Sequence, residues 1–107
     1  PRGDARQRRR VKALNHRQAQ DASLAFSHLA RGDAAAALAI ARPLAAEAEG
    51  APDAQHLLAL SLLASGDADA ATVAFEAALR LAPGQPAIFA NYGRGLRRFG
   101  RRIEAGE

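Results

Sequence analysis

At 107 residues, with a net charge of +4 and no cysteine, the chain has room for one domain and excludes disulfides and thiolate metal sites. Leu, Ile, Val and Phe together number only 22, just above the composition at which disorder becomes the default, so alanine has to build much of the core through close helix packing. No apolar run approaches the roughly 18 to 20 residues that a bilayer helix needs.

Residues 1–17 hold seven basic side chains, among them Arg8, Arg9, Arg10 and Lys12, against Asp4 alone. This arm either frays or extends the first helix, because Val11, Leu14, Gln18, Ala22, Ala25 and Leu29 recur at spacings of three and four. The chain opens on Pro1 and not on Met, which leads us to expect a piece of a longer protein. Residues 18–90 then carry three arginines against eight acids, a net of −5, before the end turns basic again with five arginines against two glutamates.

Helices are expected near 18–31, 34–48, 52–65, 68–81 and 86–99, with another starting near 102. Pro52 and Pro86 suit the first turn of a helix, where a missing N–H costs nothing. Gly32, Gly66 and Gly100 are expected to end first helices in left-handed geometry, with Asp33 and Asp67 capping the helix that follows. Pro43 falls inside the second helix and should kink or split it near Arg42.

The three glycines are spaced by 34 and again by 34, a period that marks a repeat array. Aligned on them, Leu24-Ala25, Leu58-Ala59 and Tyr92-Gly93 fall in register, and Ala37, Ala71 and Ala105 follow each glycine by five. A large residue beside a small one, facing a second small residue across the turn, is the pattern of two helices in close contact. The middle unit is fullest, with Leu58, Ala59, Leu62, Gly66, Ala71, Phe75, Ala78, Leu79 and a closing Leu81-Ala82-Pro83.

These residue types at these spacings resemble the tetratricopeptide repeat, a 34-residue helix-turn-helix unit. The resemblance covers 18–107, in units of about 18–51, 52–85 and a truncated 86–107. The first unit departs most, with Asp21, His28 and Glu49 where the family has large apolar residues and a closing Pro; Gln55 departs similarly in the second. It implies an all-α, right-handed α-solenoid of about two and a half hairpins. Such arrays line a concave surface with their first helices.

On that surface we expect a partner-binding groove formed by Phe26, His56, Leu60 and Leu63 and, toward the end of the chain, by Asn91, Arg94, Arg97 and Arg98. It would run from apolar to basic and suit a peptide or protein with apolar anchors and an acidic end. The family's clamp for a chaperone's terminal carboxylate is not expected, since the corresponding positions of the first two units are mostly Ala, Asp, Leu and Ser. The expected role is therefore a protein-interaction scaffold, not an enzyme. An alternative implied by the resemblance is the accessory end of a larger bacterial enzyme of the sulfotransferase, hydroxylase or glycosyltransferase type. Another is binding of an anionic polymer or membrane surface through Arg8, Arg9, Arg10 and Lys12, against which stands the absence of interleaved aromatics.

No catalytic constellation or phosphate loop is present, and no cofactor is expected. His16, His28 and His56 form no short-spaced ligand pair, so no metal site is expected either. The Arg-Gly-Asp triplets at 2–4 and 31–33 are incidental, the second being the turn itself. Phe89, Tyr92, Leu96 and Phe99 lie on a helix with no covering partner in the sequence, so either the protein continues or this stripe pairs with another chain. A cytoplasmic, bacterial setting is expected, the latter from 14 Arg against one Lys.

Overall fold

The computed structural model describes residues 12–104, and the backbone alone at 99 and 101–104. Within that span five helices follow one another: α1 (His16–Ala30), α2 (Ala34–Glu47), α3 (Pro52–Ala64), α4 (Ala68–Leu81) and α5 (Pro86–Glu104). No strand occurs among the described residues. The fold is an all-α stack of helix hairpins.

Each helix packs on the next, and the first helices also touch one another, α1 on α3 and α3 on α5. The second helices α2 and α4 hardly meet. First helices crowd together while second helices splay, so the stack bends toward the α1–α3–α5 side.

The two hairpin turns are built alike. After α1 the Asp33 N–H donates to His28 O at 2.8 Å and the Gly32 N–H to Leu29 O at 3.0 Å; after α3 the Asp67 and Gly66 N–H groups reach Leu62 O and Leu63 O, each at 3.0 Å. This pair of hydrogen bonds satisfies carbonyls that a helix end leaves orphaned. It needs one residue in left-handed geometry, and Gly32 at φ 80° and Gly66 at φ 89° supply it. The following Asp33 and Asp67 carboxylates accept from Ala36 N and Ala70 N, both at 3.1 Å, and start α2 and α4.

Close approach follows from the small residues at the seam. Ala25 and Ala37 in the first hairpin and Ala59 and Ala71 in the second are fully buried. Among the described residues, twelve of the seventeen buried apolar ones are alanine, so the helices approach to within what a methyl group allows, and Phe75, Leu57 and Ile88 are the large apolar side chains fully enclosed there. The core falls into two clusters, one under α1–α2 and the start of α3, the other around Phe75 between α3, α4 and α5.

Three sequence expectations need correction. The first helix begins at His16, two residues ahead of the expected start, and reaches no further back into the arm: residues 12–15 are non-helical, and Asn15 caps α1 in a reciprocal pair with Gln18. The Lys12 N–H donates instead to Gly50 O at 2.8 Å, and Leu14 packs on the first cluster. Of the two outcomes expected at Pro43, a kink or a split, the split does not occur, for α2 runs unbroken past it; Pro43 and Ala39, whose carbonyl loses its helical donor there, are both exposed, so water can take that bond.

Gly100 is the third. It lies within α5, which continues to Glu104, so no turn forms there and no further helix begins near 102. The residue after it is Arg101 and not an Asp, and a glycine followed by no capping side chain has less to gain from leaving the helix.

Candidate functional site

The faces of α1, α3 and α5 that look away from the second helices carry the residues singled out from the sequence. Positions 34 apart occupy the same place on successive first helices, so Phe26, Leu60 and Arg94 form one row and Leu29, Leu63 and Arg97 the next. Phe26 is 44% exposed, an unusual placement for an aromatic ring on a helix with a nearby core. Leu60 and Leu63 are half-buried and pack against the second core cluster. Leu63 reaches across to α5, where a β-carbon on Gly95 would lie 2.0 Å from its Cδ2; the absence of a side chain at 95 lets the two helices close on Leu63.

On α5, Arg94, Arg97 and Arg98 are exposed and Asn91 is half-buried. The guanidinium of Arg97 turns back along its helix, with Nη1 3.5 Å from where a β-carbon on Gly93 would sit. Arg94 points elsewhere: its Nη2 donates to Asn91 Oδ1 at 2.6 Å. The other end of the same amide, Nδ2, lies 3.0 Å from His56 Nε2 on α3. Three of the predicted residues, His56, Asn91 and Arg94, are thus joined in one chain of hydrogen bonds between neighbouring first helices.

Beneath that chain is an aromatic stack. The His56 ring lies 6.1 Å from Phe75 of α4, tilted at 52°, and Phe75 stacks on Tyr92 of α5 at 5.0 Å and 21°. Phe75 is fully buried, so the half-buried His56 ring lies next to an enclosed core side chain. Burial holds the His56 pKa below the ordinary value of 6.5, with the nearby Asp53 carboxylate working in the opposite direction.

Two further groups were not foreseen. Gln55, expected to leave a packing gap, directs its amide to the carbonyls of Ala45 at 3.3 Å and Glu49 at 3.4 Å at the end of α2. Arg17 bridges Asp21 at 2.6 Å and Glu47, and Glu47 also accepts from Gln18 Nε2 at 3.1 Å. The Asp21 link was legible as an i, i+4 pair; the Glu47 link joins α1 to the end of α2 and has no local signature. Such exposed pairs are screened by water and add little to stability.

His16 and His28 stand apart from His56, and no cluster of three His, Asp or Glu side chains placed to hold a metal occurs among the described residues. No helix there is long and apolar enough to cross a membrane. Arg8, Arg9 and Arg10 of the basic arm lie outside the described residues; Lys12 is exposed beside the α2–α3 turn.

Comparison with curated proteins and with solved structures returned no match. A family model described as tetratricopeptide repeat matches residues 52–95, which comprise the α3–α4 hairpin and the first half of α5. The Gly66-Asp67 turn, the Ala59–Ala71 seam and the enclosed Phe75 all fall inside this segment, which is the part of the chain that is similar to the tetratricopeptide repeat.

Proposed function

We propose that the chain is a protein-interaction scaffold whose first helices hold one partner peptide, with apolar side chains over α1 and α3 and an acidic end over α5. Repeats of this family are typically non-catalytic scaffold modules. The observation that carries the finer reading is the change of chemistry along single rows: Phe26 and Leu60 give way to Arg94, and Leu29 and Leu63 to Arg97. A ligand lying across the three helices would meet apolar surface first and positive charge last, which selects both its composition and its direction.

The test is titration of a labelled peptide, leucines followed by a glutamate run, against the wild type and the Arg94→Glu, Arg97→Glu double variant. Charge reversal should weaken binding at least tenfold at low salt, as expected for complementary charges at a groove. Equal affinity for the two proteins would overturn the reading.

A second reading, self-association, is favoured by the outer side of α5. Leu62 is 3% exposed beneath α4, whereas its equivalent Leu96 is 36% exposed and the nearby Phe89 67%. A second copy of the chain could cover this stripe. Sedimentation over a wide concentration range should then show a dimer that Leu96→Ser dissociates; a monomer throughout would dismiss it.

A further inference from the structure

The amide of Asn91 has one end that accepts and one that donates, and its neighbours on both sides dictate which is which. A guanidinium only donates, so the end that Arg94 approaches is oxygen. The amide nitrogen therefore faces His56 Nε2, and that ring nitrogen must accept, which places the imidazole proton on Nδ1. A second proton on His56 would set two donors against each other at 3.0 Å. Asn91 relieves the conflict by turning its amide over, but its oxygen then serves His56 and its NH₂ faces Arg94, again donor against donor. One oxygen cannot serve both cations.

We propose that Asn91 is a positioning residue that makes the availability of Arg94 depend on the proton at His56: neutral His56 leaves Arg94 tethered to α5, and charged His56 takes the amide oxygen and frees the guanidinium for the groove. This rests on the reading of the groove given above, and adds that its hold on an acidic ligand is proton-dependent.

The surroundings of His56 suit such a device. From its own helix Asp53 favours the charged ring, and burial opposes it. Across on α5 stand Asn91 and Arg94, while α4 offers the uncharged ring of Phe75. On α1 the paired charges are Arg17 and Asp21, engaged with each other and, through Arg17, with Glu47. The transition therefore falls below the usual histidine range. As pH drops through it, the groove gains one charge at His56 and one released guanidinium.

The experiment uses the full chain, isotope-labelled, with the His56 ring, the Asn91 side-chain NH₂ and the Arg94 Nε–H followed by NMR from pH 8 to pH 5. The Asn91 and Arg94 signals should move with the His56 midpoint. Affinity for the leucine–glutamate peptide, read at a pH where its glutamates remain ionised, should rise about five- to tenfold across the same interval, the scale of a modest coupling between sites. His56→Phe keeps a ring against Phe75 and cannot take the proton, so its affinity should be flat over that range. Asn91→Ala should leave His56 titrating while Arg94 no longer follows. If Asn91 and Arg94 stay still while His56 titrates, or if His56→Phe keeps the wild-type pH profile, the proposal is overturned. Coupled signals with no peptide binding would support the relay and defeat the groove; tight binding indifferent to pH would do the reverse.

Discussion

Gly66 and Gly100 hold the same place in successive units, yet one ends a helix and the other lies inside one. Gly66 adopts φ 89° and hands the chain to Asp67, whose carboxylate caps a helix that buries Ala71, Ala74, Phe75 and Ala78. Gly100 is followed by Arg101, and α5 runs on. A glycine only permits a left-handed turn. What makes the turn favourable is the cap next to it, and where Arg101 stands in place of an Asp the helix continues.

The same contrast separates a covered hairpin from an uncovered helix, and it can be tested hard. Phe75→Ala should cost about 3 to 5 kcal/mol by urea unfolding, the range for emptying an enclosed aromatic site, whereas Phe89→Ala on the outer side of α5 should stay within about 0.5 kcal/mol. Comparable losses would mean that the α5 face is covered in solution. Next in size, Gly66→Ala should destabilise by about 1 to 2 kcal/mol, because a β-carbon is strained in left-handed geometry, while Gly100→Ala should stabilise by about 0.5 to 1 kcal/mol as a helix-interior glycine replaced with nothing in its way. If both substitutions had the same sign, the two glycines would not differ as described. Asp67→Ala should cost about 1 kcal/mol through loss of the cap.

The smallest effects concern pH. His56 has a folded pKa lowered chiefly by burial, so the unfolded chain binds the proton more readily than the folded one. Stability is therefore full above the ordinary value of 6.5 and declines as pH falls from there toward the lower folded value; His56→Phe should abolish that decline in a pH series of thermal unfolding. Glu47 is lowered chiefly by the Gln18 hydrogen bond, and its contribution is present above 4.5 and lost as pH falls below. Being exposed, it should produce the weaker of the two slopes.

Most of the architecture could be read before any coordinate, because its determinants are local or periodic. The Gly-Asp turns, the proline-started helices and the alanine seams each depend on residues within a few positions or at a fixed multiple of 34. The failures share a different character. At Pro43 the sequence shows the bond that an isolated helix would lose, but not that the Ala39 carbonyl is exposed, which makes a split unnecessary. The arm's helical spacing runs back to Val11, but Asn15 and Gln18 form a reciprocal cap that starts the helix at His16, a pair that is itself legible in the sequence. For the proposed groove, periodicity gives only which residues share a face. Which of them bond, with Asn91 between His56 and Arg94 and Arg97 turned back toward Gly93, depends on side-chain torsions that no periodicity encodes.

The division of labour between faces bears on how such a protein changes over time. Alanines at the seam can hardly be exchanged, since any larger side chain would push helices apart, whereas Phe26 and the α5 arginines touch little that holds the stack together. Drift at those outer positions can alter what is recognised without eroding solidity. In the groove proposed above, Leu60 and Leu63 of α3 would serve both duties, so ancestry should leave its clearest record there and the quickest diversification on either side.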